Sequence, residues 1–271
     1  MMQRILASDF VFDFTRAPLA MLATAVVLFL FIIAILAPLV APTNPFDPAS
    51  LNLMNGFTPP MTPNMFTGQS FVMGADDQGR DLLSAIIYGL RVSLFVGVMS
   101  VLLAMGIGVS LGLVAGYVGG WLDNLIMRIA DIQLTFPSIL IAMLIFGVLR
   151  GIIPPDLRDE MAIFVLIAAI GLSEWVPFAR TVRATTLVEK EKEYVQAARL
   201  IGLRRGQIMW RHILPNVIGP VLVIATITLA LAIIAEATLS FLGVGAPPTE
   251  PSLGTLIRIG QDYLFSGEWW I

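Results

Sequence analysis

EYVQAARLIGLRRGQIMWRHILPN, residues 193–216, is a charged, amphipathic insert between two strongly apolar segments. Set on a helix, Tyr194, Ala197, Ala198 and Ile201 fall at i, i+3, i+4 and i+7, while Lys192, Gln196 and Arg199 take another face. The spacing predicts a short helix with a docking face. Its two alanines keep that face nearly flat, so that another protein can approach the backbone closely, and Gly202 stands where a glycine would stop the helix. A second short helix is predicted from about Gly206 to His212, anchored by Ile208 and Met209, and Pro215 marks the entry into the next apolar run. On pattern alone the simpler description, an amphipathic connector lying on a membrane surface, fits better.

The rest of the chain sets the medium. Of 271 residues, 57% are hydrophobic and 13% charged, the composition of an all-α polytopic membrane protein. A net charge of −3 supplies no basic field for nucleic acid. The absence of cysteine removes disulfides, thiolate metal sites and cysteine nucleophiles, and a single histidine, His212, has no partners for a metal site.

Residues 1–18 are expected as a cytoplasmic N-terminal segment, followed by a first span over 19–40, about 22 residues and thus long enough to cross a bilayer core. Residues 41–91 are expected as an external loop, and 41–70, rich in Pro, Asn, Thr and Gly, read as an extended stretch in which no helix fits. Residues 92–271 form the transmembrane core, with a cytoplasmic loop over 180–216. Four further spans are expected: Val92 to about Gly116, Ile132 to Leu149, Met161 to about Val176, and Val217 to Leu242. Arg180, Arg183, Lys190, Lys192, Arg199, Arg204, Arg205 and Arg211 all lie between the last two of these, so the positive-inside rule makes that loop and the N-terminus cytoplasmic. Arg4 and Arg16 agree; Arg91 opposes and is outvoted.

Ala104, Gly108, Gly112 and Gly116 recur at four-residue intervals, a ridge that permits close helix packing against a partner in this chain or another. Pro137 predicts a static kink in the third span. Glu174 and Glu236 are the intramembrane acids, each expected near an interface where it reaches water. Trp269 and Trp270 suit a membrane interface.

Gln196-Ala197-Ala198, three residues, Gly202, nine residues, then His212-Ile213-Leu214-Pro215 resembles the EAA loop of ABC importer permeases, with Gln196 in place of Glu and His212 in place of Ile. Three more stretches are similar to the dipeptide, oligopeptide and nickel branch of that family, in its C-type subunit: MGADDQGRDLLSAIIYGLRVSL from Met73, GYVGGWLDNLIMRIADIQLTFP from Gly116, and EATLSFLGVGAPPTEPSL from Glu236, where Leu253 replaces the usual Trp. The resemblance implies a permease-type bundle with five spans here and a sixth beginning near Trp269, so that a chain stopping at Ile271 is expected to be truncated. It implies a coupling role for the loop: Tyr194, Gln196, Ala197, Ala198, Arg199 and Gly202 dock on an ATPase subunit, and Leu203 and Pro215 shape the segment. It also implies partners, namely two ATP-binding-cassette ATPase subunits, a second permease of the B-type and an extracytoplasmic solute-binding protein, in a bacterial or archaeal plasma membrane. No GxxxxGK[ST] occurs, so this chain does not bind ATP phosphates through a P-loop, and the resemblance implies no cofactor here, with ATP and Mg on the ATPase subunits. The implied function is import of di- or oligopeptides or similar small solutes. An ion-coupled secondary transporter is the alternative, although neither Glu174 nor Glu236 is placed at midplane. An intramembrane hydrolase lacks a nucleophile with its base, and a non-transport scaffold is opposed only by the resemblance.

Overall fold

The computed structural model describes residues 14–47, 51–247 and 249–271, so most of the predicted N-terminal segment, Arg4 included, lies outside the described residues. The helices are α1 (Pro18–Ile35), α2 (Ala37–Val40), α3 (Leu82–Val118), α4 (Gly120–Leu134), α5 (Ser138–Ile152), α6 (Arg158–Ser173), α7 (Trp175–Glu189), α8 (Glu193–Leu200), α9 (Arg205–Ile208), α10 (Leu214–Phe241) and α11 (Leu253–Asp262). Two compact units divide the chain within α3: residues 1–94 with 263–271, and residues 95–262.

In the first unit, α1 opens with Pro18, whose missing N–H costs nothing in a first turn, and it buries only Ala34. A helix apolar on every side with no protein cover has hydrocarbon as its compatible solvent. Residues 51–81 carry no helix beyond the 3-10 turn Leu53–Asn55, and polar side chains replace secondary structure as the source of order. Buried Asn55 donates to Gln69 Oε1 (2.7 Å) and accepts from Thr67 Oγ1 (2.5 Å). Asp76 and Arg80, both buried, form an ion pair at 2.6 Å, and the same carboxylate accepts from the backbone N–H groups of Gln78 and Arg80 at 2.9 Å. Gly79, between them, has φ +76°, and a Cβ there would lie 2.2 Å from Asn52 O. The GRD of the sequence is therefore a turn that only glycine closes. Asp81 then caps α3, accepting from Ser84 N at 3.0 Å. This cap starts the helix at Leu82, well ahead of the Val92 expected from hydropathy, because Ser84, Tyr88 and Arg91 dilute the apolar signal without breaking the helix. Trp270 donates its indole N–H to Ala75 O at 3.2 Å.

In the second unit the small-residue ridge of α3 finds its partner within the chain, on α7. An added Cβ at Gly108 would lie 2.4 Å from Trp175 O, at Gly112 2.4 Å from Ala179 O, and at Gly116 2.7 Å from Thr186 Cβ, while Ala104 is fully buried. Two expected spans are broken. Around Pro137, α4 and α5 turn through 99°, so the stretch expected as one helix from Ile132 is cut before Ser138, and the kink is a corner. Proline withholds its N–H and forces Phe136 out of the helical region, which ends α4 at Leu134. Between α6 and α7 the chain bends 40° at Glu174, which is half-buried. There Pro177 has no N–H to offer Ser173 O, and Gln133 supplies the missing donor: its amide reaches Ser173 O at 2.9 Å and Leu172 O at 3.1 Å. The same Gln133 accepts the indole N–H of Trp175 at 2.8 Å. One side chain of α4 thus completes the bend at Glu174.

The last apolar helix is continuous: α9 passes through a π-helical turn, Met209–Ile213, into α10. Glu236 does not reach water as expected; it is fully buried and accepts from Ser240 Oγ at 2.7 Å. Ser240 Oγ in turn accepts from Ala246 N at 3.3 Å, and Gly254 sits where a Cβ would come within 2.3 Å of Ala237 O. The corner between α10 and α11 is fixed by these contacts. Among the described residues, α1, α3 and residues 205–241 are long and apolar enough to cross a membrane, and each bent pair counted as one span raises the number to five.

Two substitutions test this packing by thermal unfolding in detergent. Gly112→Val should lower the midpoint, since forcing a side chain into a filled contact costs about 1–3 kcal/mol, whereas Gly106→Ala, with nothing within 4 Å, should not. Gln133→Leu should also lower it, by leaving two carbonyls unpaired at about 1–3 kcal/mol each.

Candidate coupling site

The segment leaving α7 is strapped at both ends. Lys190 Nζ donates to Gly116 O at 3.0 Å, placing a cation on the last turn of α3, where the helix dipole favours it. Glu189, the last residue of α7, accepts from Lys192 Nζ and from the Tyr194 hydroxyl, each at 2.6 Å. That hydroxyl also accepts from Asn216 Nδ2 at 3.2 Å, and Asn216 donates to His212 O at 2.8 Å. Tyr194 therefore joins the end of α7 to the start of α10 through one oxygen. Partial burial, and then the Glu189 carboxylate that it donates to, push its phenol up to about 12. It remains a donor throughout the physiological range.

Helix α8 ends in a Schellman arrangement: Gly202 N donates to Arg199 O at 3.1 Å and Leu203 N to Ala198 O at 3.2 Å. Gly202 has φ +79° with nothing within 4 Å of a Cβ, so backbone conformation, not space, requires glycine there. Gln196 folds back to Glu191 O at 2.9 Å. Arg199 lies over the Tyr117 ring, 5.2 Å from its centroid.

Of the four residues that the spacing placed on the docking face, Tyr194, Ala197 and Ile201 are exposed and Ala198 is not. Ala198 is only 3% exposed and Val195 is completely buried, so these two residues form the inward face of α8. Tyr194, Gln196, Ala197 and Arg199 remain exposed, and Leu200 and Ile201, at 88% and 75% exposure, are the prominent apolar groups. An eight-residue helix offers two apolar stripes, and periodicity alone does not say which is inside. The Leu200-Ile201 doublet ahead of Gly202 was the available signal for the outer one. Leu203 is partly buried and Pro215 exposed in the first turn of α10. Ala104, Gly108, Gly112 and Gly116 stand apart from this surface, on the α3 contact with α7.

Behind the loop, α7 is tied to α4 by charge. Arg183 grips both oxygens of Asp123, Nε at 2.5 Å and Nη2 at 2.7 Å, and Arg180 pairs with Asp131. A forked guanidinium on a carboxylate fixes orientation as well as distance. Among the described residues no three of His, Cys, Asp or Glu gather to hold a metal ion.

Residues 108–267 match the family model described as "Binding-protein-dependent transport system inner membrane component", and residues 6–60 match "N-terminal TM domain of oligopeptide transport permease C". The chain is 36% identical to the dipeptide transport system permease protein DppC of Haemophilus influenzae, over 96% of this chain and 84% of that protein. It is 34% identical to the oligopeptide transport system permease protein OppC of Bacillus subtilis, over 96% and 79%. A glutathione transport system permease protein GsiD of Pectobacterium atrosepticum shares 38% over 69% of this chain and 58% of its own length. With more than half its length inside the first of these models, the chain belongs to the family of inner membrane components of binding-protein-dependent transport systems, as a permease subunit and not an enzyme.

Proposed function

We propose that this chain is the C-type permease of a peptide importer, paired with a second permease of the B-type. Two ATP-binding-cassette subunits that carry ATP and Mg engage α8, and an extracytoplasmic protein delivers the solute. Membership of a binding-protein-dependent family sets aside the ion-coupled carrier. Peptide as the substrate is supported by the names of the relatives, dipeptide and oligopeptide permeases at 34–36% identity. A cytoplasmic N-terminus and coupling loop are supported by the basic residues gathered between α7 and α10.

The observation that carries the coupling reading is the Tyr194 hydroxyl, shared between Glu189 and Asn216 beneath an exposed Leu200-Ile201 surface. When an ATPase dimer closes, the groups bound to α8 move, and α8 cannot move alone. Tyr194 carries the displacement to α7 and α10, Lys190 to the end of α3, and Arg183 from α7 to α4. Rigid elements joined by short polar contacts shift together between two arrangements, which is what switching the open side of a cavity requires. Tyr194, Gln196, Ala197, Arg199 and Gly202 keep the docking role, joined by Leu200 and Ile201; Ala198 supports them from inside, and Leu203 and Pro215 hold the turn.

Reconstitution with the partner subunits and the solute-binding protein tests this. Leu200→Asp should reduce recovery of the ATPase subunits and uptake by at least about tenfold, the effect of placing an unpaired charge at an interface anchor, while membrane insertion stays intact. Wild-type recovery would remove α8 from the interface. Tyr194→Phe should keep the ATPase bound but raise the ATP hydrolysed per solute imported several-fold, since it removes a shared hydrogen bond of about 0.5–1.5 kcal/mol. An unchanged ratio would remove Tyr194 from the transmission path.

A further inference from the structure

Residues 161–179 hold one charged side chain, Glu174, between Asp159 and Glu160 at one end and Arg180 and Arg183 at the other. That run covers about 28 Å at 1.5 Å per residue, close to the thickness of a hydrocarbon core, and its two helices, α6 and α7, count together as one bent span. The flanking charges therefore mark the edges of the core, and Glu174 falls inside it, about 9 Å from the Arg180 edge. An acid at that depth needs a partner or water. Among the described residues the Glu174 side chain has no ion pair and no hydrogen bond, and it does not cap α7 although it stands at the N-cap. Its oxygens are not sealed either, since the residue is half-buried and its carboxylate open. Glu236, the other intramembrane acid, is by contrast fully buried and bonded to Ser240.

The surroundings narrow what the carboxylate meets. The sides of α7 toward α3 and α4 are filled: Trp175 O and Ala179 O lie where Cβ atoms of Gly108 and Gly112 would stand, and Gln133 takes the Trp175 indole. The cations that follow along α7, Arg180 and Arg183, are held by Asp131 and Asp123. Lipid would leave the charge unsolvated. The break also puts non-helical backbone beside it, with Glu174 at φ −110° and ψ 10°, and such backbone at membrane depth is tolerated where it is buried in protein or lines a water-filled space. An open carboxylate selects the second case. In an importer of peptides the solute carries an ammonium group into that space, and in low-dielectric surroundings an ammonium needs an opposite charge. We propose that Glu174 lines the translocation path and holds the ammonium group of the peptide in transit. This rests on the permease role and the peptide substrate proposed above.

Because the chain contains no cysteine, Glu174→Cys places one thiol in this subunit, and a methanethiosulfonate reagent then sets its charge. The complete importer, reconstituted in vesicles with its solute-binding protein and ATP, is assayed for uptake of dialanine, with the wild type treated by the same reagents as control. Glu174→Gln should lower uptake several-fold at full recovery of the complex, and Glu174→Asp should retain more of it. Glu174→Cys should be as slow as Glu174→Gln, regain uptake after the anionic sulfonatoethyl reagent but not after the cationic trimethylammonioethyl reagent, and react more slowly in excess dialanine. A purely structural role predicts no dependence on the sign of the added charge. Equal uptake after both reagents overturns the proposal. So does a thiol that does not react, which places Glu174 against lipid or a cation of the second permease. If Glu174→Cys fails to assemble, Glu174→Gln and Glu174→Asp decide, and equal uptake by the two overturns the proposal. Absence of ATP-driven dialanine uptake by the wild type overturns the peptide reading and this proposal with it, whereas wild-type uptake with an unaffected Glu174→Gln overturns this proposal alone.

Discussion

Helix α7 lies against α3 only because Gly108, Gly112 and Gly116 carry no side chain. The backbone oxygens of Trp175 and Ala179 and the side chain of Thr186 occupy the volume that Cβ atoms would take. In a bilayer no hydrophobic force drives two apolar helices together, so contact must come from close van der Waals approach and from polar groups that have no better partner. The glycine ridge supplies the first. The second is added at the end of the ridge, where Lys190 caps Gly116 O and Arg183 grips Asp123. With α7 held in this way, the start of the segment that carries α8 has a defined place.

The same logic governs the broken helices. A proline inside an apolar helix strands a carbonyl, and hydrocarbon offers no donor to rescue it. Gln133 meets that demand at Leu172 and Ser173 while accepting from Trp175, so the 40° bend before α7 is completed by an amide from α4. A helix of 15 residues such as α5 spans about 22 Å, less than the roughly 30 Å of a hydrocarbon core, so its corner belongs to the architecture and not to a local irregularity. Transport proteins need discontinuities of this kind, because a cavity that changes its open side cannot be built from unbroken cylinders alone.

Much of this was legible in the residues. The first and last spans follow from hydropathy, and the spacing of Gln196-Ala197-Ala198, Gly202 and Pro215 located the segment now proposed for coupling, down to the glycine at φ +79°. The motif beginning at Glu236 is explained by a corner in which the carboxylate, Ser240 and Gly254 interlock. The early start of α3 escaped because its cap, Asp81, sits in a polar stretch that resembles loop. The corner at Pro137 was underestimated because a proline signals a lost hydrogen bond without stating how far the chain will turn.

The sequence by itself determined the medium, the class of fold and the place of the segment proposed for coupling, because composition, run length and glycine or proline position are properties of the chain alone. Only the tertiary structure decided that the α3 ridge meets α7 and that Gln133 of α4 completes the bend before α7. It also decided that Ala198 faces inward while Leu200 and Ile201 face out. The physical reason is that a short helix presents more than one plausible face, and a small residue or a polar side chain acquires its role from the partner that fills the space or completes the hydrogen bond. That partner lies between roughly 40 and 75 residues away along the chain in the contacts of Gln133 with Ser173 and of Gly116 with Lys190, a separation over which local propensity carries no information.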